Sequence, residues 1–226
     1  MTNLDDAKRE ASRAALVELP DRGVIGLGTG STARFFIEEV GALVRAGRDL
    51  RGVPTSEASR EQAEALGIPL LDPDGPWDID VTVDGADEVD PQLRLIKGGG
   101  GALLREKIVA SATKQLVIVA DASKQVKMLG KFPLPVEVIR FSQALVSKRI
   151  TALGANVQLR VDNSGKPFVT DENNHILDCH FGEIRDPEAL ARQLSDMPGV
   201  VEHGLFIGMA SVALLARGSE IIELKR

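Results

Sequence analysis

Four short apolar runs along this chain each stop at residues that can do chemistry. Val24-Ile25-Gly26-Leu27 leads into Gly28-Thr29-Gly30-Ser31-Thr32, and Asp80-Val81-Thr82-Val83 into Asp84-Gly85-Ala86-Asp87-Glu88. Leu93-Arg94-Leu95-Ile96 leads into Lys97-Gly98-Gly99-Gly100-Gly101, and Leu116-Val117-Ile118-Val119 into Ala120-Asp121-Ala122-Ser123-Lys124. Short apolar runs bounded by turn residues read as buried strands. As parallel strands of one sheet, their C-terminal ends would share the edge where open α/β sheets bind ligands.

Helical spacing fills the intervals. Residues 3–19, 31–46, 56–66 and 102–113 read as helices, with Ser31 or Thr32 as N-cap of the second and Gly67 ending the third. Residues 23–27, 50–54, 79–83, 93–96 and 116–120 read as strands. This alternation predicts an α/β fold: a Rossmann-like, mainly parallel sheet with helices on both faces. After Gly130 the rhythm changes to strand (135–140), helix (142–153), strand (156–161), strand interrupted at 171–174 (168–181), helix (186–197) and strand (200–206). That order predicts an inserted, smaller α+β domain of ferredoxin type. The expected division is 1–130 with 207–226 as the α/β catalytic domain and 131–206 as the insertion. Residues 211–224 are expected to return strands to the first sheet.

Bulk properties narrow the function. The chain has 226 residues, 43% hydrophobic and 27% charged, with net charge −6 and scattered basic residues. A nucleic-acid partner would call for a basic face. No apolar run reaches the ~20 residues that span a bilayer, and residues 1–13 lack an apolar signal core. A cytoplasmic location is expected. The single cysteine, Cys179, excludes an intramolecular disulfide framework.

The glycine loop at 26–32, between a strand and a helix, suits phosphate at a helix N-terminus. It lacks the third glycine of the dinucleotide pattern and the Gly-Lys-Ser/Thr of a P-loop. Its plain alternative is a tight strand–helix turn. Asp84 and Asp87 could divide acid–base work, hold Mg²⁺, bond sugar hydroxyls or form a solvated turn. Lys97 before four glycines suits an oxyanion site, because four glycines cost backbone entropy that an ordinary loop need not lose. Glu106 lies away from Leu104 and Ile108 and reads, by periodicity, as a solvated helix residue. His175, Cys179 and His180 match no common zinc spacing, and His203 beside Glu202 reads as an interface or surface pair.

Together, the motifs at 28–32, 84–88 and 97–107, with 120–124, 135–138 and 201–206, closely resemble the ribose-5-phosphate isomerases of the A type, from near Lys8 to near the C-terminus. The resemblance implies an aldose–ketose isomerase, without metal or other cofactor, interconverting D-ribose 5-phosphate and D-ribulose 5-phosphate in the pentose phosphate pathway. It implies Glu106 as general base through an enediol(ate), Lys97 and nearby N–H groups on the enediolate oxygen, and Asp84 and Asp87 on the sugar hydroxyls and in ring opening. It implies substrate contacts at Thr29, Gly30, Ser31, Thr32, Gly85, Ala86, Gly98, Gly99, Gly100, Lys124 and Lys8. The rivals are a sugar-phosphate-sensing effector module, for which residues 1–20 are too short to add a helix-turn-helix, and an amino-sugar-phosphate deaminase, which would need an active-site histidine. A homo-oligomer, dimer or tetramer, is expected, with the apolar segment Val200, Val201, Leu205, Phe206 and Ile207 as the self-association patch.

Overall fold

The computed structural model describes residues 4–225. Its larger sheet is built from β1 (Arg22–Leu27), β2 (Asp49–Pro54), β3 (Ile79–Asp84), β6 (Thr113–Asp121), β12 (Ala210–Arg217) and β13 (Glu220–Lys225). Their order is β13-β12-β6-β3-β1-β2, all parallel except the edge strand β13. A small sheet holds β4 (Glu88–Val89), β5 (Leu95–Ile96) and β11 (Leu205–Phe206).

The parallel strands are apolar on both faces, as a doubly covered sheet requires. In β6, Val117 and Val119 pack with Ala7, Ala11 and Ala15, whereas Leu116, Ile118 and Ala120 join Leu95, Phe206 and Leu215 on the other face. Helices α1 (Leu4–Ala14) and α2 (Ala33–Arg45) cover the first face; α3 (Glu57–Ala65) adds Ala63 to the same cluster. Position 3 of the expected first helix lies outside the described residues. Ser56 caps α3 by accepting from Ser59 N at 3.1 Å, and Gly67 ends it at φ +73°. Helix α4 (Leu103–Ser111) packs on the second face.

The expected insertion is a four-stranded antiparallel sheet of β7 (Leu134–Val138), β8 (Asn156–Leu159), β9 (His175–His180) and β10 (Val200–His203), with α5 (Gln143–Ala152) and α6 (Pro187–Ser195). Its order, β10-β7-β9-β8, is the ferredoxin arrangement. Asp186 caps α6 through Ala189 N at 2.8 Å, with Pro187 in the first turn. Helix α4 also packs against β7 and β10, so it lies between the two larger sheets.

Three expectations are corrected. Leu93–Ile96 is not a strand of the parallel sheet. Asp90 closes a turn here, accepting from Gln92 N and Arg94 N at 2.9 Å, and Leu93 takes φ +57°. Only Leu95–Ile96 remains extended, and it pairs antiparallel with β4 and β11. Of residues 168–181, only His175–His180 form a strand; the expected interruption is a turn from Thr170 to Asn174, and residues 168–170 before it are not a strand. Segment 200–206 divides between two sheets; of the expected self-association patch, Leu205 and Phe206 are core at 1% and 0% exposed, whereas Val200, Val201 and Ile207 are half-buried.

Strand order reverses between β1 and β3, the position where a crevice opens at the C-terminal edge. The two strands approach closely there. Gly28 N donates to Val83 O at 3.0 Å, and a Cβ on Gly28 would lie 2.5 Å from Asp84 Cα. Gly28→Ala is expected to force β1 and β3 apart and to destabilise the fold by about 1–3 kcal/mol. Urea unfolding measures this, and an unchanged midpoint would refute the packing argument.

Candidate active site

The crevice is a cavity of about 300 Å³. After β1 it is lined by Thr29, Gly30, Ser31 and Thr32; after β3 by Gly85, Ala86 and Asp87; after β6 by Ala120, Asp121, Ser123 and Lys124. Lys97, Gly98, Gly99 and Gly100 enter from β5, Glu106 from α4, and Leu4 and Lys8 from α1. Every residue expected at the site lines this cavity except Asp84. Leu4, Ala120, Asp121 and Ser123 were not expected as site residues, although the run 120–124 had carried one of the motifs.

Asp84 is committed inside the protein. Its Oδ1 accepts from Thr29 N at 3.0 Å and Gly85 N at 2.7 Å, and its Oδ2 lies 2.9 Å from Lys97 Nζ. Asp84, expected on the sugar hydroxyls, here holds Lys97 and two loops. Asp87 does line the cavity, with Oδ2 accepting from Gly99 N at 2.7 Å.

Lys97 is 2% exposed and also donates to Gly85 O at 2.6 Å. Burial pulls its pKa down, but the carboxylates of Asp84 and Glu106 outweigh burial and leave it raised, so the ammonium is charged. Glu106 Oε2 lies 3.5 Å away, an ion pair without a hydrogen bond. Among the described residues it is the one buried side-chain N or O atom without a hydrogen-bond partner. One cation cannot neutralise two adjacent buried carboxylates. Asp84 holds the closer position, and burial pushes the Glu106 carboxyl up to about 8, with Asp84 and Asp87 adding to the rise. That value suits a group that takes up and returns a proton near neutral pH.

Helix periodicity misread Glu106. It is 5% exposed, whereas Ile108 of the same helix is 47% exposed. The helix turns its charged positions inward because partners wait there. Lys107 Nζ donates to Glu202 Oε1 at 2.7 Å and to His203 O at 2.6 Å. His203 is likewise buried and not at a surface; burial and the neighbouring Lys107 push its pKa down to about 4. Its Nδ1 accepts from Leu205 N at 3.2 Å, leaving Nε2 to donate to Ser195 Oγ at 3.2 Å. No histidine lines the cavity.

The glycines after Lys97 have separate reasons. Gly98 and Gly101 take φ +103° and +87°, which L side chains rarely adopt. A Cβ on Gly99 would meet Asp87 Oδ1 at 2.6 Å, whereas one on Gly100 would make only an ordinary contact with Thr29 Cγ2 at 3.8 Å. At α2, Thr32 makes no capping hydrogen bond. The expected side-chain cap is absent, and the helix start stays open to an anion.

A parallel sheet whose C-terminal edge gathers a buried lysine, an unbonded carboxylate and an open helix N-terminus is the framework of an enzyme for a small anionic ligand. The family model for ribose 5-phosphate isomerase A (phosphoriboisomerase A) matches residues 51–220. The chain is 50% identical over 229 residues to ribose-5-phosphate isomerase A of Parvibaculum lavamentivorans, covering 98% of this chain and 99% of that protein. It is 54% identical over 225 residues to the enzyme of that name from Rhodopseudomonas palustris, covering 97% of each. The solved structure of ribose 5-phosphate isomerase A from Methanocaldococcus jannaschii is 38% identical, with TM-score 0.94 over 99% of this chain and 100% of that one. A D-ribose-5-phosphate isomerase solved in complex with phospho-erythronic acid matches with TM-score 0.95 and 38% identity, over 99% and 100%. The chain belongs to the ribose 5-phosphate isomerase A family.

The Glu106 carboxyl holds its proton up to about 8 when folded and to the ordinary 4.5 when unfolded. Between those values the folded state binds the extra proton, so rising pH costs stability: the contribution is whole below 4.5 and lost on passing 8. Glu106→Gln cannot ionise. Its melting temperature relative to wild type is expected to rise steadily from pH 5 to 8. A gap independent of pH over that range would show that Glu106 is not held protonated.

Proposed function

We propose that this cleft isomerises ribose 5-phosphate with Glu106 as the base and Lys97 as the charge that meets the developing oxyanion. The chain is an isomerase that interconverts ribose 5-phosphate and ribulose 5-phosphate, a function that family membership and relatives at about 50% identity support. The observation that carries the residue roles is the buried Glu106 Oε2, without a hydrogen bond and 3.5 Å from a charged lysine. In the ionised fraction present near neutral pH, an oxygen with no hydrogen bond to release can accept a proton from carbon at no cost in broken hydrogen bonds.

In the open-chain aldose, Glu106 takes the proton from C2. The C–H electrons form the C1–C2 double bond, and the carbonyl oxygen on C1 becomes an enediolate oxygen beside Lys97 Nζ. Glu106 then returns the proton to C1, the C2 oxygen becomes the carbonyl, and its proton passes to the C1 oxygen. Lys97 acts where the charge appears and therefore favours the transition state over the ground state. Asp87, which lines the cavity, is assigned the sugar hydroxyls and ring opening. Lys8, Lys124 and the open start of α2 at Ser31 and Thr32 are assigned the phosphate. A cavity of about 300 Å³ suits a five-carbon sugar phosphate.

The wider proposal keeps two domains but moves the end of the insertion from the expected 206 back to His203, since β11 pairs with β5. A cytoplasmic location fits a substrate whose charged phosphate does not cross a bilayer unaided. A homo-oligomer is supported by a different patch from the expected one. Phe141 is 99% exposed, with Ile139 and Leu145 43% and 51% exposed nearby in the chain. Light scattering at micromolar concentration should give at least twice the 24.2 kDa chain mass; a monomer at every concentration would refute it.

In deuterated water, wild-type protein should exchange the C2 proton of ribose 5-phosphate, as followed by NMR. Glu106→Gln should slow exchange and turnover by ~10²–10⁴-fold. If the folded variant kept more than roughly a tenth of the wild-type rate, Glu106 would not be the base.

A further inference from the structure

The loop that joins Lys97 to the helix of Glu106 is gripped from outside by the ferredoxin-like sheet. Arg160 follows β8, and its side chain is 13% exposed. Nε and Nη2 form a fork on the Asp178 carboxylate of β9, at 3.0 and 2.5 Å. The remaining terminal nitrogen, Nη1, donates to Gly98 O at 2.8 Å and to Gly99 O at 3.2 Å. Phe168, whose N donates to Arg160 O at 2.9 Å, lays its ring against Gly101; a Cβ there would lie 2.5 Å from Phe168 Cζ. The guanidinium sits 5.9 Å from that ring's centroid.

Peptide geometry turns this grip into an effect on the site. A trans peptide is planar, and its C=O and N–H point in opposite directions. No peptide bond among the described residues is cis. Arg160 draws the carbonyls of Gly98 and Gly99 to one side. The N–H groups in the same two planes, those of Gly99 and Gly100, must then point to the other. The first meets Asp87 Oδ2 at 2.7 Å. The second has no acceptor among the described residues, and Gly100 lines the cavity. Two successive N–H groups aimed together form an anion-binding concavity.

We propose that Arg160, anchored by Asp178, is a positioning residue of the isomerase: it orients the Gly99 and Gly100 N–H groups towards Asp87 and the enediolate. The proposal rests on the roles given above to Lys97 and Glu106. Arginine is required because one planar fork must serve a carboxylate and two carbonyls at once, which an ammonium cannot do with the same geometry.

The test compares Arg160→Met, Arg160→Lys and Asp178→Asn with wild type. The readouts are kcat and KM for ribose 5-phosphate, inhibition by phospho-erythronic acid and the melting temperature. That inhibitor carries a carboxylate, so it reports on an anion site that the neutral sugar carbonyl does not occupy in the ground state. Arg160→Met should lower kcat by roughly 10- to 100-fold, as misplacement of catalytic donors does. KM should move by less than about threefold, and the inhibitor should weaken more than KM rises. Arg160→Lys should recover part of kcat by reaching one carbonyl. Asp178→Asn should show the same split more weakly, and it decides the matter if Arg160→Met does not fold. A folded variant with kcat unchanged, an effect confined to KM, or a kcat loss equal to the loss of folded protein would overturn the proposal. Glu106→Gln keeps its own outcome in each case, so the two readings fail separately.

Discussion

One buried ammonium organises this molecule. Lys97 lies between Asp84 at 2.9 Å and Glu106 at 3.5 Å, all three within the protein interior. Removing one partner of such a buried pair typically costs about 3–5 kcal/mol, because an uncompensated charge remains. The requirement explains much of the surrounding sequence. Asp84 must reach Lys97 and also the amides of Thr29 and Gly85, so Gly28 can carry no side chain. Lys97 N donates to Gly204 O at 2.9 Å, and a Cβ on Gly204 would overlap the Lys97 carbonyl. The charge imbalance that remains, one cation among several carboxylates, leaves Glu106 able to exchange a proton near neutral pH.

The ferredoxin-like sheet is part of this arrangement and not an appendage. Lys107, one residue beyond Glu106, is tied to Glu202 and to the backbone of His203, so α4 is fastened to β10. Phe206 lies under both lysines, 5.4 Å from Lys97 Nζ and 4.9 Å from Lys107 Nζ by its ring centroid. The segment that leaves the ferredoxin-like sheet therefore braces the helix of Glu106 and the buried Lys97 together. Arg160 holds the loop between them. Glu106, Lys97 and the glycine loop are each supported by both halves of the chain, and their spacing depends on how those halves pack.

Much of this was legible in the sequence. The strands of the parallel sheet, the glycine loop and the ferredoxin order follow from local rules: apolar runs, helical spacing, and glycine where a helix ends, as at Gly67. The cavity residues after β1, β3 and β6 were legible in part, because chemistry sits at strand ends and those ends share an edge; Glu106 and Lys8 came only from the family resemblance. What periodicity could not report was the neighbour that each side chain would meet. Glu106 has the spacing of a solvated residue and is buried; Ile108 has the spacing of a core residue and is half exposed. His203 resembled a surface pair, and Leu205 and Phe206 a sticky patch. Leu93–Ile96 resembled another parallel strand until Asp90 bent it into a hairpin.

The sequence by itself determined which segments become strands and helices and which chemical groups stand at their ends, since backbone periodicity and turn chemistry are short-range. Only the tertiary structure decided which polar groups are buried, which carboxylate holds the lysine and which is left free for the proton. Burial and charge compensation depend on partners tens of residues away: Asp84 for Lys97, Glu202 for Lys107, Asp178 and two glycine carbonyls for Arg160. A polar side chain enters a protein interior only when such partners are already placed to receive it.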